Sequence, residues 1–157
     1  MAGAVPQISI PKLPDAKVAI ISASWHMDIC NVLVAGARRA CEQAGITHIS
    51  ERYVPGSFEL PLAAQHAFEG GFDAVIVVGL VLRGETPHFD YVCQGVTQGV
   101  MDVQLKFSKP IGFGVLMCET VEQAQARSGV PGSKEDKGFD AGVAALALLA
   151  GARGTAR

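Results

Sequence analysis

Residues 73–80 read Asp-Ala-Val-Ile-Val-Val-Gly-Leu, and Ala74-Val75-Ile76-Val77-Val78 is the strongest strand signal in the chain. A run of small and β-branched apolar residues with no polar alternation fits a strand covered on both faces. Weaker versions of the pattern lie on either side. Val18 to Ser22 reads as one strand, Ile46 to Val54 as another, and Pro110 to Cys118 as the last. Helical stretches separate them. Asp28 to Ala44 carries Cys30, Leu33, Val34, Ala37 and Cys41 at helical spacing, and Gly45 supplies the stop. Ser57 to Glu69 closes on Gly70-Gly71, and a long helix runs to about Phe107. Thr120 and Gln123 form a capping box for a short helix to about Arg127; Ser133 and Asp136 read as a second box, opening the last helix through Leu149.

Apolar strands that alternate with helices require a parallel sheet covered on both faces. The expected fold is α/β: a three-layer α/β/α sandwich on a four-stranded parallel sheet, flavodoxin-like in kind. Residues 1–16, with Pro6, Pro11 and Pro14, read as an extended arm, and residues 17–157 as a single domain. No repeat or low-complexity tract is present.

Composition narrows the function. The 157 residues carry 13 basic and 15 acidic side chains, for a net charge of −2, which argues against a nucleic-acid binder working through a basic face. At 49% hydrophobic and 18% charged, the chain can bury a core. With aromatics at only 6%, that core is built from small aliphatics, which predicts close packing and an oligomer. Cys30, Cys41, Cys93 and Cys118 form no CxxC pair and read as reduced core residues. The N-terminal stretch lacks the basic and apolar regions of a secretory leader, and the apolar run Ala141 to Ala152 is too short to span a bilayer. The expectation is a cytoplasmic protein without a membrane anchor.

In such folds ligands bind beyond the carboxyl ends of the strands. The four strands lead, in chain order, into Ser24-Trp25-His26, Pro55-Gly56-Ser57-Phe58-Glu59, Val81-Leu82-Arg83-Gly84-Glu85-Thr86-Pro87-His88 and Cys118-Glu119-Thr120. Thr86 suits an N-cap and Pro87 the first helical position, which puts His88 in the first turn of the long helix. The positive end of the helix dipole disfavours an imidazolium there, and a neutral histidine near its titration point suits proton transfer. On spacing alone, a surface histidine opening a helix is the commoner reading. Free N–H groups around Gly84-Glu85-Thr86 could hold a phosphate. Neither GxxxxGK[ST] nor GxGxxG is present, so the common nucleotide-binding modes are not expected. Trp25, the sole tryptophan, and Phe58 read equally as packing residues or as platforms for a heterocycle. Glu59 reads either as a first-turn carboxylate or as an acceptor for hydroxyl groups. His26, His48 and His66 show no metal-ligand spacing, and no metal is expected. The mixed charges of Lys134 to Lys137 read as a solvated helix start.

Taken together, these stretches resemble the lumazine synthase family from about Val18 to Leu149. Pro55 to Pro61 resembles its PG[AS]FE[IL]P element. Gly79 to Val92, GLVLRGETPHFDYV, resembles its most specific block, and Phe113 to Leu116 and Glu122 to Gly129 match its FGV and EQAxxR[AS]G segments. The resemblance implies a cofactor-free condensation of 5-amino-6-(D-ribitylamino)uracil with 3,4-dihydroxy-2-butanone 4-phosphate, the penultimate step of riboflavin biosynthesis. It implies that Trp25, where many members have Phe, stacks on the pyrimidine. Ser57, Phe58 and Glu59 would hold the ribityl chain. Leu80, Val81 and Leu82 would bind the uracil through backbone groups, and Glu85 and Thr86 would meet the phosphate through theirs. Arg127 would pair with the phosphate, His88 would move protons, and Lys137 would lie close to the substrate. Phe113 and Arg127 would come from a neighbouring subunit of a homopentamer, with riboflavin synthase as an expected associate. Capsid-forming members tend to carry GxKxGNKG between the last two helices. The longer, proline-containing stretch Gly129 to Gly138 points to free pentamers. Two alternatives stand beside this reading: an archaeal-type riboflavin synthase, which the RGETPHFDYV and FGV blocks disfavour, and a non-catalytic flavin-binding module, which would need neither His88 nor Arg127.

Overall fold

The structure, a computed structural model, describes residues 3–154. Its elements run β1 (Lys17–Ala23), α1 (Met27–Gln43), β2 (His48–Val54), a 3₁₀ turn (Ser57–Glu59) leading into α2 (Leu60–Glu69), β3 (Ala74–Leu82), α3 (His88–Phe107), β4 (Ile111–Cys118), α4 (Val121–Ser128) and α5 (Lys137–Ala152). All strand pairs are parallel, in the order β2-β1-β3-β4. This is the three-layer, flavodoxin-like arrangement expected from the alternation.

Alternation of side chains across the sheet sorts the core into two layers. Val18 and Ile20 of β1 and Ala74, Ile76 and Val78 of β3 face α1 and α5. Ala19, Ile21, Val75 and Val77 face α2 and α3. Each fully buried Val or Ile contributes roughly 1.5–3 kcal/mol relative to exposure.

Four local readings change. β2 begins at His48, and most of its side chains are exposed, so it is a polar edge strand and not an apolar one. α3 begins at His88, with Pro87 at the cap position; Thr86 Oγ1 accepts from the His88 N–H at 3.4 Å. α5 begins at Lys137, not near Ser133, because Asp136 is the true cap, accepting from the Phe139 N–H at 3.0 Å. Ser133 lies in the loop and donates to the Glu135 carbonyl. The charge cluster read as solvated is in fact ion-paired: Asp136 with Arg39, and Lys137 with Glu135 and Asp140. Near the N-terminus, residues 4–13 form neither helix nor strand. Leu13 is nonetheless buried, and its N–H bonds the Ala44 carbonyl at 2.9 Å.

Candidate functional site

The order of the sheet reverses direction between β1 and β3, the place where an open α/β sheet parts its loops to make a crevice. A cleft of 690 Å³ opens there, lined by Trp25, His26, Gly56, Ser57, Phe58, Glu59, Leu80, Val81, Leu82, His88, Tyr91 and Val92. The loops after β1, β2 and β3 therefore converge as the sheet topology requires.

Each wall has a local cause. Ser24 Oγ donates to the Val54 carbonyl at 2.7 Å, tying the end of β1 to the end of β2. Cys30 Sγ donates to the Trp25 carbonyl at 3.2 Å, which holds the backbone of that turn while the indole stays largely exposed. Gly56 is extended, and a Cβ there would meet Glu59 Oε2 at 3.2 Å and the Trp25 ring at 3.5 Å, so carboxylate and indole converge over this residue. Ser57 is buried, and its hydroxyl has no hydrogen-bond partner among the described residues. The Phe58 ring lies against Gly95 of α3, where a Cβ would come within 2.6 Å of it. Glycine at that turn of α3 is what lets the 55–59 loop approach the helix.

His88, Tyr91 and Val92 stand one helical turn apart on the face of α3 that meets the cleft. The lining contains one formal charge, Glu59, and no lysine or arginine. It offers stacking surface, backbone groups, a carboxylate and imidazoles, but no cation for an anionic substrate.

Among the residues singled out from sequence, Trp25, Ser57, Phe58, Glu59, Leu80, Val81, Leu82 and His88 share this cleft. Glu85 and Thr86 are exposed in the adjoining loop without lining it. Phe113, Arg127 and Lys137 are not brought to it. Phe113 pairs with Val77. Its distance of five residues from the end of β4 at Cys118 corresponds to roughly 16 Å of strand. Arg127 sits in the last turn of α4; Nη1 donates to the Gln123 carbonyl at 2.9 Å, and the guanidinium forms no ion pair among the described residues, although its charge, after that of Lys137, helps lower the Glu135 carboxyl. The same Arg127 charge partly offsets the burial that pushes the Cys118 thiol up. Lys137 is held above the usual lysine range by Glu135 and Asp140.

His26, Gly56, Tyr91 and Val92 also line the cleft; the sequence places His26 and Gly56 just beyond strand ends without giving either a role, and does not single out Tyr91 or Val92. His26 adopts φ 56°, ψ 57°, and its carbonyl accepts from the N–H groups of Ile29 and Cys30. Nothing in sequence marks a non-glycine residue in left-handed backbone. The spacing of Tyr91 and Val92 from His88 could have found them.

The sequence profile of the 6,7-dimethyl-8-ribityllumazine synthase family matches residues 15–153. The chain belongs to this family. A 6,7-dimethyl-8-ribityllumazine synthase of Streptomyces coelicolor is 49% identical over 145 residues, covering 92% of this chain and 90% of the relative. One of Paenarthrobacter aurescens is 55% identical over 131 residues, covering 83% and 81%. The lumazine synthase resemblance read from GLVLRGETPHFDYV and its companion motifs is thereby established, and no finding favours the riboflavin synthase or flavin-carrier alternatives. The protein is accordingly an enzyme, and no described helix is long and apolar enough to cross a membrane.

Proposed function

We propose that this cleft, completed by a neighbouring subunit, condenses 5-amino-6-(D-ribitylamino)uracil with 3,4-dihydroxy-2-butanone 4-phosphate to 6,7-dimethyl-8-ribityllumazine. The amine attacks the ketone and loses water to form an imine. Phosphate is eliminated, and the second nitrogen closes the ring with loss of another water. No net oxidation occurs, so the balance calls for no redox cofactor. Most of the acceleration comes from holding two reactants in register, with proton transfer as a supplement.

Trp25 stacks on the pyrimidine, the main chain of Leu80 to Leu82 reads its edge, and Ser57, Phe58 and Glu59 hold the ribityl chain. His88 carries protons to and from the reacting nitrogen and oxygen atoms. Glu85 and Thr86 offer main-chain N–H groups to the phosphate. The charge it needs comes from Arg127 of an adjacent chain, with Phe113 and Lys137 on the same side.

The observation that carries this reading is the division of the site residues: eight share a cleft without a lysine or arginine, while Arg127, in no ion pair among the described residues, lies elsewhere. A ring in which each chain contributes to its neighbour's site resolves both facts. Exposed Leu62, Met101, Leu105 and Phe113 supply apolar surface for such contacts. The ring is a pentamer in the cytoplasm; the riboflavin synthase that consumes its product is the partner to test for.

The test is to mix inactive variants. His88→Ala should slow turnover by roughly tenfold to a thousandfold. Arg127→Ala should mainly raise the KM for the phosphorylated substrate. Reassembled hybrids should regain activity, because some sites inherit both native residues. Hybrids no faster than their parents would overturn the shared site. Light scattering at five times the chain mass would support the pentamer, and a capsid-sized species would refute it.

A further inference from the structure

Arg83 is the one basic residue in the stretch between β3 and α3, beside the loop proposed for phosphate. Its guanidinium is already engaged. Nε donates to Glu119 Oε2 at 2.7 Å, Nη2 to Asp90 Oδ1 at 3.1 Å and Nη1 to Asp90 Oδ2 at 3.4 Å. Cζ stands 4.3 Å from the centre of the Phe89 ring. The Arg83 N–H bonds the Cys118 carbonyl at 3.1 Å. One side chain thus joins the end of β3, the first turn of α3 and the loop after β4, without lining the cleft.

These groups are well exposed, and exposed ion pairs contribute little to stability. What a planar, forked donor supplies is orientation. Successive residues of a helix point about 100° apart, so side chains three and four apart share a face. Phe89 and Asp90 are the residues gripped by Arg83, whereas His88, Tyr91 and Val92 line the cleft. Holding one side of the first turn fixes the direction of the other.

We propose that Arg83 is a positioning residue for the condensation: by gripping Phe89, Asp90 and Glu119 it sets the rotation of the first turn of α3 and thereby the place of His88 in the cleft. Arg83 is not itself the phosphate ligand: its guanidinium is turned to two carboxylates and does not line the cleft. The inference rests on the role proposed for His88.

The experiment is a double-mutant cycle in the assembled enzyme with Arg83→Ala, His88→Ala and the pair. Arg83→Ala should lower kcat by about tenfold to a hundredfold, the scale of a small misplacement of a reacting group. The KM for the pyrimidine should move much less than kcat, since Trp25 and Ser57 to Glu59 lie on other loops and Leu80 to Leu82 are held by the β3 ladder. In the His88→Ala background, Arg83→Ala should have no further effect on kcat, because the residue it positions is gone. Arg83→Lys, which keeps the charge and loses the fork, should fall between. Asp90→Asn provides a second route should Arg83→Ala fold poorly, with the same loss of kcat expected. Wild-type kcat in Arg83→Ala, or effects of Arg83→Ala and His88→Ala that multiply, would overturn the proposal. Wild-type rates in His88→Ala alone would instead remove the reading on which it rests.

Discussion

On one face of the sheet α1 and α5 bury Gly36, Ala37, Ala40, Gly138, Ala141 and Gly142 among their contacts. On the other, α3 runs for 20 residues and buries only Val96, Val100 and Val103, leaving Tyr91, Met101 and Leu105 exposed. The first face is packed backbone to backbone: a Cβ on Gly138 would lie 2.1 Å from the Leu33 carbonyl oxygen. The second meets its neighbours through side chains that can turn, and its cleft is open. A face closed by main-chain contact carries stability, and cannot be reshaped without loss. A face closed by movable side chains can carry a site and a subunit contact. In this chain the tightly packed layer and the proposed cleft lie against different helices.

Gly138→Val tests the closed face most severely. Main chain cannot yield as a side chain does, so overpacking should cost about 3 kcal/mol or more, read as a large drop in Tm. Gly95→Ala places its new methyl against the Phe58 ring instead, which is exposed and free to swing. It should change stability by less than about 1 kcal/mol while raising the KM for the pyrimidine. Equal losses of Tm in the two variants would break the comparison.

Cysteines sharpen it with smaller effects. Burial on the closed face pushes the Cys41 thiol up to about 12 from an ordinary value of 9.0. Between those pH values the unfolded chain gives up its proton and the folded chain keeps it. Stability from this group is therefore complete below pH 9 and declines as pH rises toward 12. Urea unfolding of Cys41→Ala should show a shallower alkaline decline than the parent; parallel curves would contradict the burial argument. Cys93, on α3, is only half-buried, whereas Cys30, Cys41 and Cys118 are buried. A thiol reagent on the native protein should label Cys93 first, and mass mapping that finds Cys41 first would invert the two faces.

Much of this arrangement was legible without coordinates because it is local. Val75 to Val78 must be strand, the stripe from Cys30 to Cys41 must be helix, and the alternation of the two leaves few topologies. Motif resemblance added the family and most of the cleft, since the residues just beyond strand ends in a parallel sheet share one edge. Local signals failed where two elements compete for one side chain. Asp136 caps α5 at a point set by its fit beside Gly36 and its ion pair with Arg39, both distant in sequence. His26 takes left-handed backbone at the junction of β1 and α1, which its residue type does not announce. β2 is an edge strand because the order of the sheet makes it one. By itself, then, the sequence determined the elements, their parallel assembly, the family and the residue types of the chemistry, all of which depend on period, composition and near neighbours. Only the tertiary structure decided that Arg83 is bound to Asp90 and Glu119 while Arg127 forms no ion pair among the described residues, and that Phe113, Arg127 and Lys137 stand away from the cleft of their own chain. Those facts depend on distances between residues far apart in the chain, which hydrophobic patterning does not encode.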